Sequence, residues 1–470
     1  MDIDLLIARA SQLLVILPHD DGPQRGTRLG DLGLIEDGAV AIRGEQIVAV
    51  GPTSDLAAQF KAKQVIDAAG KVVMPGFVDP HTHVVWAGDR AAEFEQRIAG
   101  ATYLEIMNAG GGIMATVRQT RAASVDQLVE ETRPRLDRML AHGATTVEAK
   151  TGYGLETATE LRMLEAIDRL DAEHPIELVP TFIGAHAIPS EYKGREDAYA
   201  DLVVNEMLPA VRESPIANRV SRIAYRESHI ANRISHIADG TSSSSDLQSP
   251  PISDKPSAIS DKPSAIRDTL YCDVFCEEGA FTLAQSRKIL EAARALGFGL
   301  KIHADEFAPL GGAQLAVELG AASADHLVVT PPHEIEALGR SNTVAVSLPG
   351  TPFGLGQTAF TPVQAILGAG GVLALASDCN PGTTWCESMQ MVIAVACRYL
   401  RITPAQAIVA STLNAAHAIG LGDRIGSLQP GRQADVVILD APDYRHIGYR
   451  YGVNLVEKVI KRGRIAISRK

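Results

Sequence analysis

Two histidines one residue apart, His81 and His83, close a β-rich run at residues 72–79 that leads through Val78, Asp79 and Pro80. Residues two apart on an extended strand face the same side, so both imidazoles point to one place. On its own such a pair is weak, because a lone strand-end histidine is more simply a hydrogen-bonded structural group. Two further runs change the reading: one ends in Lys301-Ile-His303-Ala-Asp-Glu306 and another in Ala376-Ser-Asp378, adding a third imidazole and a carboxylate. Three neutral imidazoles with one carboxylate form a borderline-to-hard donor set that suits Zn²⁺ or Fe and can leave a position open for water. Water at such a centre loses its proton near pH 7, which is the chemistry of hydrolysis. A fourth run ends in Ser323-Ala-Asp-His326. Other candidates are poorer: His142, His174, His333, His417 and His446 have no partners at suitable spacing, and His229 and His236 belong to a repetitive stretch. Cys272 and Cys276 lack a second Cys/His pair and read as buried thiols. Gly110-Gly-Gly112 lacks the Gly-Lys-Ser/Thr ending of a phosphate loop and reads as a substrate-covering loop.

Placing these residues together requires a scaffold of strand ends. Between residues 72 and 380, β-rich runs at 72–79, 144–150, 176–184, 271–277, 299–304, 322–327, 343–348 and 372–377 alternate with helix-period segments. Thr282-Leu-Ala-Gln285, for example, has a capping-box spacing ahead of an alanine-rich helix that Gly297 would stop. Eight β/α repeats favour an α/β fold, a closed (β/α)₈ barrel, whose C-terminal mouth would collect the strand ends carrying His81, His83, His303, His326 and Asp378. The flanks, 3–70 and 426–470, read as strands and turns without helical period, including a hairpin turning at Arg43-Gly44-Glu45. They suggest a small β-sandwich domain built from both chain ends, dividing the chain into 1–71, 72–425 and 426–470. Residues 214–267 fit neither pattern. Ile216-Ala-Asn-Arg recurs as Ile230-Ala-Asn-Arg, and Ser253-Asp-Lys-Pro-Ser-Ala-Ile recurs from Ser260, which points to a tolerated low-complexity surface insertion.

Length and composition agree with a barrel plus a smaller unit. The chain has 470 residues, 46% hydrophobic and 21% charged, ample for a large core. A net charge of −12 weighs against a nucleic-acid partner, no apolar run is long enough for a membrane span, and the acidic N-terminus does not resemble a signal peptide. Five cysteines are too few and odd in number for a disulfide scaffold. The expectation is a cytoplasmic enzyme acting on a small molecule, with a homodimer as a possible assembly.

The motifs Val78-Asp-Pro-His-Thr-His with Gly88-Asp-Arg90, Glu148-Ala-Lys-Thr-Gly-Tyr-Gly-Leu155, Thr181-Phe-Ile-Gly-Ala-His-Ala-Ile-Pro189, Cys272-Asp-Val-Phe-Cys-Glu277, His303-Ala-Asp-Glu-Phe307, Gly320-Ala-Ala-Ser-Ala-Asp-His326, Ser377-Asp-Cys-Asn-Pro-Gly-Thr383 and Gly426-Ser-Leu-Gln-Pro-Gly-Arg-Gln-Ala-Asp435 together resemble the amidohydrolase superfamily and, within it, the imidazolonepropionase family of histidine degradation. The resemblance covers nearly the whole chain apart from the insertion. It implies one Zn²⁺ or Fe ion on His81, His83, His303 and Asp378. Strand four ends in Phe275-Cys276-Glu277, so the carboxylated lysine of binuclear members has no candidate. The substrate 4-imidazolone-5-propanoate is then expected on Arg90, Tyr153, His186, Glu306 and Thr383, and the product N-formimidoyl-L-glutamate on Tyr153, Asn380 and Gly382. The insertion and a glycine-rich segment, Thr351-Pro-Phe-Gly-Leu-Gly-Gln, depart from the family pattern outside this ligand set.

Hydrolysis of a cyclic amide then distributes as follows: Asp378 or Glu306 as general base, His326 or His186 stabilising the developing oxyanion, and Glu306 returning a proton to the departing ring nitrogen. Two alternatives remain at this level, an amidohydrolase-type deaminase of a cyclic amidine and a catalytically silent barrel serving as a scaffold. Arg90 and Tyr153 weigh against the first, since a ring without a carboxylate needs no such pair. The intact donor set weighs against the second.

Overall fold

A computed structural model describes residues 1–20, 22–101, 105, 110–217 and 270–469. Eight parallel strands run in simple order around a barrel: β1 (Phe77–Asp79), β2 (Ala144–Lys150), β3 (Glu177–Ala185), β4 (Tyr271–Cys276), β5 (Gly299–Ala304), β6 (Ser323–His326), β7 (Val344–Ser347) and β8 (Val372–Leu375). The ring closes just past the strand ends. There Asp378 donates its amide to the His81 carbonyl at 3.1 Å, His83 donates to that of Cys379 at 3.0 Å, and Thr82 pairs with Cys379. This (β/α)₈ barrel is the architecture expected from the alternation of β-rich and helix-period segments.

Inside the barrel, Val78, Val179, Tyr271, Val344, Val372 and Ala374 from β1, β3, β4, β7 and β8 pack into one cluster. Outside, helices such as Val125–Ala141, Thr157–Glu173 and Leu283–Ala295 bury their apolar stripes in the main core. Leu283–Ala295 opens with the expected capping box: Thr282 Oγ1 accepts from the Gln285 amide at 3.3 Å, and Gln285 Oε1 accepts from the Thr282 amide at 3.0 Å.

The remaining strands form a four-stranded and a six-stranded sheet. Leu5, Ile7, Val40 and Ile42 of the first pack against Leu13, Val73, Val436, Ile438 and Ile460 of the second, so both chain ends share one small core. The hairpin pairs Arg43 with Gln46, as read. Three expectations need correction. The run at residues 72–79 is two strands: Val72–Pro75 pairs antiparallel with Val436–Leu439 in the small domain, and only Phe77–Asp79 enters the barrel. Gly76 separates them, and a Cβ there would fall 2.4 Å from the Thr145 side chain, so only glycine lets the chain pass. The N-terminal flank also holds a helix, Thr53–Gln59, whose single buried residue Leu56 leaves no periodicity to read. Finally, the segment read as an insertion begins too early at residue 214, because Ile216 and Ala217 are buried in the main core. Its repeats, from residue 218 to residue 267, lie outside the described residues. No helix among the described residues is long and apolar enough to cross a membrane.

Candidate metal and active site

Register brings the strand-end donors together. β5 pairs with β6 so that His303 lies beside Asp325 and Ala304 beside His326, while β4 sets Phe275 beside His303. His81, His83 and Asp378 sit at the β1–β8 closure. All five of His81, His83, His303, His326 and Asp378 are buried. Asp378 Oδ1 lies 3.6 Å from His81 Nε2 and 3.8 Å from His83 Nε2, and His83 Nε2 lies 3.2 Å from His303 Nε2. Donor atoms of three overlapping triads, His81/His83/Asp378, His81/His303/His326 and His83/His186/His303, lie within 4.8 Å of one another.

Backbone and neighbours show how this cluster is aimed. Asp378 and His326 have positive φ, 54° and 76°, and such non-glycine residues at strand ends are strained positions that persist where surroundings over-determine them. The Thr351 hydroxyl donates to Asp378 Oδ2 at 2.6 Å, which leaves Oδ1 for the histidines. Thr351 belongs to the glycine-rich segment placed outside the site in the sequence reading, so that segment is part of it after all. Beneath the imidazoles, His81 Nδ1 lies 2.6 Å from Asp325 Oδ2. A carboxylate only accepts, so the proton sits on Nδ1 and the lone pair on Nε2 faces the cluster. Asp273 Oδ2 lies 2.9 Å from His303 Nδ1, poorly directed for a hydrogen bond. Both carboxylates belong to a fully buried charged floor: Lys150 Nζ meets Glu148 and Asp273 at 2.7 Å each, and Lys301 Nζ lies 3.8 Å from Asp325.

Burial outweighs the carboxylates and disfavours charge on four of the imidazoles. Burial lowers His81, His83 and His326 well below the usual histidine range, helped by Lys150, His186 and His303 respectively, and brings His186 to about 3. Burial raises Asp378 to about 6 and, with Asp378 and Glu277 nearby, pushes Glu306 well above its usual range. A pocket of neutral imidazole lone pairs facing a carboxylate fits a divalent cation. His81 Nε2, buried without a hydrogen-bond partner among the described residues, is the atom such an ion would satisfy.

The remaining sequence candidates gather at the same mouth. The His186 ring stacks on His83, centroids 4.5 Å apart and planes 8° apart, and lies 5.4 Å from Tyr153. Glu306 Oε2 is 3.6 Å from His326 Nδ1. Burial and Asp378 push the Tyr153 hydroxyl up, while Arg90 pulls it down, which places Arg90 within electrostatic reach of that hydroxyl. Arg90 is not free: its Nε and Nη2 meet Glu93 Oε2 at 2.9 and 2.7 Å. Its other amine overhangs Gly382, where an added Cβ would fall 2.4 Å from Nη1. Asn380 is engaged internally, accepting the Gly382 and Thr383 amides at 2.8 Å each and donating to the Asp378 carbonyl and Thr383 Oγ1. Gly112, in the run read as a substrate-covering loop, caps helix Ile113–Ala122 and donates its amide to Glu93 at 3.1 Å. Arg97, not singled out from sequence, donates to the Gly382 carbonyl at 3.0 Å. With Phe94, Phe353 and Trp385 it lines a cavity of about 600 Å³.

Comparison with known proteins decides the family. The profile of the amidohydrolase family matches residues 64–172 and 87–467, and that of the bacterial imidazolonepropionase-like composite domain matches residues 38–60. The chain is 54% identical over 462 residues to an imidazolonepropionase of Herpetosiphon aurantiacus, covering 98% of this chain and 97% of that one. It is 49% identical to an imidazolonepropionase of Chloroflexus aggregans, covering 99% of each. The chain belongs to the imidazolonepropionase family. As a family member it is an enzyme of the amidohydrolase group, as the motifs implied. Solved structures share the fold: a zinc-bound adenosine deaminase from Xanthomonas campestris (TM-score 0.63, 19% identity, 100% of this chain and 94% of that one) and guanine deaminase of E. coli (TM-score 0.66, 15% identity, 99% of each).

Proposed function

We propose that the chain hydrolyses the ring carbon–nitrogen bond of 4-imidazolone-5-propanoate to give N-formimidoyl-L-glutamate. In this reading His81, His83, His303 and Asp378 hold one Zn²⁺ or Fe ion. The observation that carries it is the convergence of Asp378 Oδ1 with the Nε2 atoms of His81 and His83 at 3.6 and 3.8 Å, in a chain 54% identical over nearly its full length to a protein named imidazolonepropionase. When bound, the ion supplies Lewis acidity and brings the pKa of water toward about 7.

The chain's own groups do the rest. Asp378, with Oδ2 taken by Thr351, accepts a proton at Oδ1 from the attacking water. Glu306, kept protonated by burial, delivers a proton to the departing ring nitrogen, assisted by His326 at 3.6 Å. Neutral His326 flanks the developing oxyanion, and His186, whose proton the Gly152 carbonyl holds on Nδ1, turns its Nε2 lone pair to a donor of the substrate ring. Arg90, oriented by Glu93, presents Nη1 to the propionate carboxylate beside Gly382 and Thr383, and Tyr153 covers the ring. The Asn380-braced turn shapes the product end of the site. All five cysteines are free thiols, in keeping with the reducing cytoplasm as the place of action.

The test is incubation of purified protein with freshly prepared imidazolonepropionate, with adenosine, guanine and cytosine in parallel, and product analysis by mass spectrometry. Formimidoylglutamate from the first alone is expected. Ammonia release from a nucleobase without ring opening of the imidazolone would overturn the reading in favour of deamination.

A further inference from the structure

The loop after β2 is gripped from two sides, and neither gripping residue touches the centre. It carries Tyr153, and its Gly152 carbonyl lies 3.0 Å from His186 Nδ1. Glu160, fully buried in helix Thr157–Glu173, accepts three of the loop's amides: Gly152 at 2.9 Å on Oε2, and Gly154 and Leu155 at 2.8 Å each on Oε1. Arg121, in helix Ile113–Ala122, takes the carbonyls, donating Nε to Gly154 O at 2.7 Å and Nη2 to Leu155 O at 3.2 Å. The same guanidinium lies 2.8 Å from Glu191 Oε1, in the segment that follows β3 and His186. Little slack remains in the loop. Gly152 and Leu155 have φ of 94° and 53°, and a Cβ at Gly154 would fall 2.9 Å from Glu160 Oε1.

Burying a carboxylate is costly unless every lone pair is used, so this grip is more than loop attachment. Leu155, itself buried, would anchor the loop to the core without any ion. The polar bonds add the orientation of the peptide planes. A carbonyl only accepts, so the Gly152 oxygen fixes the His186 proton on Nδ1 and leaves the Nε2 lone pair free, stacked over His83.

We propose that Glu160 and Arg121 are positioning residues for catalysis, holding the loop so that Tyr153 faces the substrate and His186 keeps its Nε2 lone pair toward it. The proposal rests on the imidazolonepropionase reading for the roles of Tyr153 and His186. It makes a prediction that a purely structural role does not: loss of substrate binding at unchanged metal content.

The experiment compares the metal-loaded parent with Glu160→Gln, Arg121→Met and Arg121→Lys. Its readouts are metal content, KM and kcat on imidazolonepropionate, melting temperature, and amide hydrogen exchange across residues 151–156. Glu160→Gln and Arg121→Met are expected to keep the metal and lose at least about tenfold in kcat/KM, chiefly through KM, with faster exchange at Gly152, Gly154 and Leu155. Arg121→Lys, which keeps one donor, should recover part of the loss. A lower melting temperature with KM and kcat within about twofold of the parent would overturn the proposal. Should Glu160→Gln not fold, Arg121, whose side chain is 24% exposed, carries the same comparison. A parent that leaves the imidazolone ring closed sinks the proposed reaction, and the exchange measurement, which needs no turnover, still decides the grip: unchanged protection in the variants overturns it.

Discussion

Asp378 and the four imidazoles were legible from sequence because each stands at the end of a strand-like run, where type and position coincide. The groups that aim them were not. Asp273, Asp325, Glu148 and Lys150 form the buried floor under the imidazoles; they stand within the quoted motifs, but the only physical sign of their role is an ionisable residue in the midst of an apolar strand. Such a residue is costly to bury unpaired, so it signals a partner without saying which. The Glu93 contact to Arg90 was equally hidden, since an i, i+3 pair is common on any helix surface. Two predictions belong here. His303→Ala should lose most metal and activity together, because three remaining donors hold an ion less firmly, whereas His326→Ala should keep its metal and slow only turnover; metal analysis beside steady-state rates separates them, and full activity in His303→Ala would contradict the assigned donor set. Arg90→Met should lower kcat/KM by a factor on the order of 30 to several thousand, since removing one partner of a desolvated pair costs roughly 2 to 5 kcal/mol. Lysine should rescue only partly, as it keeps the charge without the fork; equal kcat/KM in parent, Arg90→Met and Arg90→Lys would remove the carboxylate role.

Strands and helices were read well where their period was long and poorly where two elements met. Residues 72–79 look like one strand because hydrophobicity does not change across Gly76, yet the first half pairs in the small domain and the second in the barrel. The Pro75-Gly76 pair is the sequence's mark of the break, and the close approach of Thr145 gives the tertiary reason for glycine there. A second junction joins the start of β3 to the same small domain: Glu177 meets Arg424, Lys461 at 3.3 Å and Arg462 at 3.2 Å, while Lys461 also meets Asp435 at 2.7 Å. Burial alone would raise the Glu177 carboxyl, but Lys461, Arg424 and Arg462 outweigh it and hold it well below the usual carboxylate range. A depressed folded-state pKa means that the stabilisation is present above the unfolded value, about 4.3, and fades as pH falls below it. Glu177→Gln should therefore cost roughly 3 kcal/mol at pH 7, and the gap between parent and variant should still be nearly full at about pH 4 and close only as the pH is lowered further toward about 2. Urea unfolding at about pH 7 and about pH 2 checks this; an unchanged gap would show that the cluster contributes no charge-dependent stability.

At the scale of the whole molecule, the barrel alone does not choose the chemistry. Deaminases share it at TM-scores of 0.63 and 0.66 with identities of 19% and 15%, so activity has to be argued from the mouth of the barrel and not from its walls. What this chain brings to that mouth is a single convergent donor set among the described residues, with Phe275 from β4 beside His186 and His303, and with Lys150 committed to Glu148 and Asp273. One ion should therefore suffice. The most direct measurement is a titration of chelator-stripped protein with Zn²⁺ or Fe²⁺, following bound metal and imidazolonepropionate hydrolysis in the same samples. Activity should be near zero without metal, rise in proportion to bound ion and level off at one equivalent per chain. Full hydrolysis by the stripped protein, or a plateau reached only at two equivalents, would contradict a single centre built from His81, His83, His303 and Asp378.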